Sequence, residues 1–107
     1  MGSGGISVTG GGGALSDNLA TIYQGGGSGT SQSVTVSGGG SILLQGGSSA
    51  LTNVGGFGHG SLAGIEAHGD SQLVSFSAGG TLSVTGGTVG SRNLASVWSA
   101  AGSQTIT

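Results

Sequence analysis

Hydrophobic residues recur along this chain at every second position in short runs, and each run is closed by Gly, Ser or Asn. Ile6 and Val8 flank Ser7, Ile42 and Leu44 flank Leu43, and Leu82 and Val84 flank Ser83. Alternation of this kind marks strands with one buried face. No stretch offers the i, i+3, i+4, i+7 spacing of an amphipathic helix. Gly, abundant throughout, lowers helix stability by roughly 1 kcal/mol per residue. The chain is therefore expected to be all-β with essentially no helix.

The runs belong to a larger repeating unit. Gly4-Gly5-Ile6-Ser7-Val8-Thr9-Gly10-Gly11 returns as Gly39-Gly40-Ser41-Ile42-Leu43-Leu44-Gln45-Gly46-Gly47 and again as Gly79-Gly80-Thr81-Leu82-Ser83-Val84-Thr85-Gly86-Gly87. A second element, Asn18-Leu19-Ala20-Thr21-Ile22-Tyr23, has counterparts beginning at Ser61 and Asn93. A third, Ser31-Gln32-Ser33-Val34-Thr35-Val36, has counterparts beginning at Ser71 and Ser103. The order is the same each time, which places repeats at about 4–38, 39–78 and 79–107 in one segment spanning 1–107. Asn53 lies as far from Ser41 as Asn93 does from Thr81, so the middle repeat differs by an insertion at 54–61, expected to be a loop on one face.

Equivalent positions match across repeats, so each repeat is expected to lie on the one before, its strands pairing in parallel. The result is a parallel β-solenoid of about three stacked Gly-rich repeats, three strands per unit favouring one turn per repeat. Its interior would hold Ile6, Val8, Ile22, Val34, Val36, Ile42, Leu44, Ile65, Val74, Phe76, Leu82, Val84, Val97 and Ile106. Tyr23, Glu66 and Trp98 would point outward from the second element. The columns Gln32/Gln72/Gln104 and Asn18/Asn53/Asn93 suit amide ladders between repeats, with turn chemistry as the alternative for the same residues. Gly pairs fall at the corners, where backbones approach closely.

Composition narrows the function classes. Gly, Ser and Thr account for 57 of 107 residues and charged residues for 4%, far from an ordinary globular domain. Leu, Ile, Val and Phe total 24, and their ordered placement separates the chain from a flexible Gly/Ser linker. With one Arg, no Lys and a net charge of −2, neither nucleic acid nor a polybasic membrane anchor is expected. No apolar run approaches the roughly 18 residues of a spanning helix, so membrane insertion is not expected either. The absence of Cys excludes disulfides and thiolate metal sites.

The pattern Gly-Gly-x-h-x-h-x-Gly-Gly, then Asn-Leu-Ala-x-h, then Ser-Gln-x-h-x-h resembles the repeats of filamentous-haemagglutinin-type exoproteins, large bacterial adhesins exported by two-partner secretion. It is carried by Gly79 to Gly87, Asn93 to Trp98 and Ser103 to Thr107, with their upstream counterparts. The resemblance implies a right-handed β-helix shaft, secreted or at the bacterial surface or in an extracellular matrix, that displays or spaces other domains. The family's amino-terminal secretion domain is not recognisable, so the resemblance reads the chain as an interior piece.

Candidate chemistry is sparse. Seven side chains ionise: Asp17, Tyr23, His59, Glu66, His68, Asp70 and Arg92. Glu66 and His68, two apart, could offer a metal an oxygen and a nitrogen, with Asp70 and His59 to complete the set. Against this stands a solvated strand edge and turn, and no metal is expected. Calcium-binding G-G-x-G-x-D-x repeats are not spelled out. Clustered acids for glycoside cleavage, a G-x-S-x-G elbow and a phosphate loop with Lys are all missing, so no catalysis and no cofactor are expected. Tyr23 and Trp98 share an outward position and could contact a glycan or protein. The rival class is accordingly a binding module, meeting a host glycan, host protein or ice through outward Ser/Thr rows or the inserted loop. Outward Leu43 and Leu73 interrupt the flat Thr array that ice would need.

Neither end looks capped. Read head to tail, residues 104–107 followed by 1–6 nearly reproduce 32–42. Copies are therefore expected to stack into a head-to-tail homopolymer, an open heterologous assembly without edge Lys or Pro to prevent it.

Overall fold

Strands in this chain come in sets that repeat. The computed structural model describes residues 4–13, 18–49, 61–90 and 93–107. The first repeat holds β1 (Ile6–Thr9), β2 (Gly12–Gly13), β3 (Asn18–Gln24) and β4 (Ser31–Val36). The second holds β5 (Ile42–Gln45), β6 (Ser48–Ser49), β7 (Ser61–Ala67) and β8 (Ser71–Phe76), and the third β9 (Leu82–Thr85), β10 (Asn93–Ser99) and β11 (Ser103–Ile106). The protein is all-β, with no helix among the described residues.

Each repeat contributes one strand to each of three three-stranded sheets, ordered β1-β5-β9, β3-β7-β10 and β4-β8-β11; β2 and β6 form a small fourth pair. Every pairing is parallel, and like sits on like. Ile6 faces Ile42 and Ile42 faces Leu82; Val34 faces Val74 and Val74 faces Ile106. A one-residue slip would turn every apolar side chain outward, so alternation dictates this register. The intervening elements of each repeat supply the long connection that parallel neighbours require. Backbone donors reach both neighbours of a repeat: Ile42 N donates forward to Thr81 O at 2.8 Å, and Asp70 N donates back to Thr30 O at 2.8 Å. The shortest principal extent, 14 Å, fits three backbones about 4.8 Å apart.

The middle repeat supplies most of the core, and β4 of the first repeat the rest. Ile42, Leu44, Ile65 and Val74 are fully buried, joined by Val34, Val36 and Ala63. Ile6, Val8, Ile22, Phe76, Leu82 and Val97 pack against this cluster but are only partly buried. Two residues expected in the interior depart further: Val84 is 44% exposed and Ile106 48%. They share columns with Leu44 and Val74, so their direction is inward. What they lack is a neighbour on the far side, because the third repeat lies at the edge of every sheet.

The insertion needs a second correction. Ser61, which the sequence placed both at the end of the insertion and at the start of the second element, is the first residue of β7 and the strand partner of both Asn18 and Asn93, so it does not belong to the loop. Asn53 and residues 54–60 lie outside the described residues.

Tight stacking requires glycine at the corners. A Cβ on Gly47 would collide with the carbonyl oxygen of Gly11 and lie 2.6 Å from Ser61 Cβ; a Cβ on Gly87 would collide with the carbonyl oxygen of Gly47. Between β8 and β9, Ala78 adopts φ of 63°, close to the 69° of Gly38 at the matching turn of the preceding repeat. Left-handed backbone costs an L-residue roughly 1–2 kcal/mol, partly offset in the unfolded chain by alanine's smaller freedom. Gly47→Ala is therefore expected to destabilise by about 2–3 kcal/mol in urea denaturation, as backbone cannot yield cheaply. Ala78→Gly should instead stabilise by up to about 1 kcal/mol.

Candidate functional site

Two arrangements of side chains stand out, one between the sheets and one on the outside. The inner one follows from the alternation in β4, β8 and β11, which turns Gln32, Gln72 and Gln104 inward at the start of each strand. There they meet the far ends of β3, β7 and β10 across the corner. Gln104 Nε2 donates to Gln72 Oε1 at 2.6 Å, and Gln72 Nε2 donates to Gln32 Oε1 at 2.8 Å. The same nitrogens hold the corner carbonyls. Gln32 Nε2 donates to Glu66 O at 3.0 Å and Ile22 O at 3.3 Å, and Gln72 Nε2 to Trp98 O at 3.2 Å and Ile65 O at 3.4 Å. Each amide thus ties its own repeat to the next one. Of the two sequence readings for these residues, ladder and turn, the geometry is that of the ladder. Gln72, in the middle, is only 1% exposed, and its polar atoms are satisfied without water.

The Asn column is different. Ser61 stands between Asn18 and Asn93, so no continuous amide ladder runs through the strand register. Asn93 Nδ2 donates to Val89 O, closing the turn that leads into β10.

The outer arrangement lies on the exposed face of the β3-β7-β10 sheet. Register stacks Leu19, Leu62 and Leu94 in one column and Tyr23, Glu66 and Trp98 in another. Between these columns run Thr21, Gly64 and Ser96. With no side chain at Gly64, the centre of this face is low. A cavity of about 490 Å³ opens there, lined by Leu19, Leu62, Leu94, Glu66, Ser96 and Trp98 among others. The Glu66 carboxylate leans back over the glycine: a Cβ at Gly64 would lie 3.3 Å from Glu66 Oε1. At the far rim the His68 ring sits between Tyr23 and Trp98, with centroids 5.2 and 5.0 Å away and an edge-on approach to the indole. Such tilted ring pairs are favourable geometries. Tyr23 and Trp98 remain 58% and 45% exposed.

Glu66, His68 and Asp70 are not gathered into one ligand set. Asp70 Oδ2 accepts from Gly29 N at 2.7 Å, where it braces the turn between β3 and β4, while Glu66 and His68 stand on the outer face. No group of three or more His, Cys, Asp or Glu side chains suited to a metal occurs among the described residues. His59, Asp17 and Arg92 lie outside those residues.

Sequence reasoning picked out Tyr23 and Trp98 but missed the leucine column and the role of His68. A signal was present: Leu occupies the same outward position of the second element in all three repeats, where a solvent-facing strand would spell polar residues.

Replacing Gln72 with Leu keeps the volume but strips Gln32 Oε1, Gln104 Nε2 and the Ile65 and Trp98 carbonyls of a partner. The expected loss in a denaturation midpoint series is about 2–4 kcal/mol. Gln104→Leu, at the edge of the stack, should lose less than about 1 kcal/mol. Equal losses would show that the ladder is not shared in this way.

No family model matches the chain, and no curated protein or solved structure is similar to it, so the functional reading rests on this geometry and on the motif pattern of the repeats.

Proposed function

We propose that the chain is a segment of a parallel β-solenoid shaft that acts by stacking and spacing, without catalysis. One observation carries the reading: both outer repeats leave the outer edges of their sheets unpaired, and inward residues of the third repeat are half covered. Within one column Leu44 is buried while Val84 is 44% exposed; within another Val74 is buried while Ile106 is 48% exposed. The middle repeat defines what a satisfied layer looks like, and either outer repeat becomes one when a further layer is added. Exposed parallel edges of this kind template additional strands.

The stacking direction is polar. Every strand pairs in parallel with its neighbour, and the Gln72 and Gln104 side chains each donate to the Gln of the preceding repeat. A further layer therefore fits only head to tail, whether it comes from the same polypeptide or from another copy. Head-to-tail contacts that do not close give linear assemblies. The likeness of the motif spelling to filamentous-haemagglutinin-type repeats is the ground for a bacterial surface or extracellular matrix setting, in an adhesin or fibre.

Sedimentation and negative-stain electron microscopy test the stacking. The chain is expected to form rods that lengthen with concentration, with unchanged β-sheet circular dichroism. Val84→Lys combined with Ile106→Lys places charges in the open inward columns and should yield compact monomers that stay folded, because edge Lys blocks strand addition. A parent chain that remains monomeric at millimolar concentration overturns the proposal.

A further inference from the structure

The cavity on the outer face of the β3-β7-β10 sheet has a composition that selects its occupant. Its wall is aliphatic, from Leu19, Leu62 and Leu94; opposite stand the Trp98 indole and the Glu66 carboxylate, with the Ser96 hydroxyl near the low centre. Leu19 and Leu94 are exposed although they are large and apolar. Glu66 is half-buried, and its carboxylate meets no cation or donor among the described residues. A carboxylate held beside apolar surface lacks part of its hydration and is better satisfied by an opposite charge than by water alone. Glu66 stands in register between Tyr23 and Trp98, whose rings both pack on His68, and of the two the Trp98 indole lines the cavity with it. Aromatic rings beside an acid make a favourable seat for an ammonium or guanidinium group, through the ring quadrupole as well as the charge.

The geometry points to a peptide-binding groove, whose ligand is a short segment of another protein that carries a Lys or Arg next to aliphatic side chains. The cation would meet Glu66 beside the Trp98 indole, and the aliphatic neighbours would lie along the leucine column. An anionic amphiphile is disfavoured, since the lining offers a carboxylate and no cation. The volume of about 490 Å³ lies within the range of sites that hold a few side chains. The groove faces sideways, away from the stacking edges, so this inference does not depend on the stacking proposal.

Trp98 is the chain's single tryptophan and lines the groove, so its fluorescence reports occupancy directly. The probes are acetyl-Leu-Lys-Leu-amide, the same tripeptide with neutral norleucine in place of Lys, and a gluco-oligosaccharide. The Lys peptide is expected to give a saturable change in Trp98 emission, weakened by added salt. Substituting norleucine, or introducing Glu66→Gln, should weaken binding by about threefold to tenfold, the range of a partly desolvated charge pair. Leu94→Ser, at an exposed position, should weaken both peptides alike while the circular dichroism stays that of the parent. The proposal is overturned if the Lys peptide produces no saturable change, if the neutral peptide binds as well, or if the oligosaccharide saturates the signal where the peptide does not. These readings come from single molecules in dilute solution, so they fail or succeed separately from filament formation.

Discussion

What the rest of this structure depends on is parallel pairing of like with like. Each repeat contributes the same apolar spelling to the same three sheets, so a strand in the middle repeat finds its own pattern above and below it. Backbone donors and acceptors are then satisfied along the stack, while the alternate side chains close over one another in continuous columns. The glycine corners are part of the same constraint. At Gly47 and Gly87 the neighbouring carbonyl occupies the space a side chain would need, so the repeats can approach to strand spacing only because nothing projects there. Composition that looks like a flexible linker is here a requirement of close packing.

A dry aliphatic interior would hold the columns together but would distinguish poorly between neighbouring registers, since Ile, Leu and Val substitute readily for one another. The glutamine ladder adds direction and position. Its amides must each find an acceptor in the adjacent repeat, and a slip would leave several buried groups unpaired. Gln72 is the member with partners on both sides, just as Leu44 and Val74 are the apolar residues with cover on both sides. Apolar and polar columns thus show the same end effect at the third repeat, where Val84, Ile106 and Gln104 lack the cover that Leu44, Val74 and Gln72 have.

The two proposed interactions use different parts of this layout. Stacking uses the strand edges and lies along the column axis. The groove uses side chains on the outside of one sheet and lies across that axis. Because the sheet is built from repeats, each layer contributes to the groove: a leucine from all three, then Glu66 from the middle repeat and Trp98 from the third. Variation among repeats at that one outward position, with Gly64 below it, turns a regular surface into a recess with a charge.

Alternation, repeat order and the matching of positions were legible in the chain itself, and with them the all-β class, the parallel register and the inward set of side chains. These are local or periodic properties, and a strand's two faces are decided by every second residue. The Gln column was also visible, but whether it formed a ladder or served turns depended on the distance between repeats. The exposure of Val84 and Ile106 could not be read from their spelling, which is that of buried residues, because burial is set by whether another layer lies beyond. Ser61 was legible as the counterpart of Asn18 and Asn93 and also as the last residue of the insertion; its strand pairing decides between the two. The outer groove required the tertiary structure most of all. Leu19, Leu62 and Leu94 are 32 or more residues apart, and a recess arises only when they stack beside a glycine floor onto which Glu66 can fold.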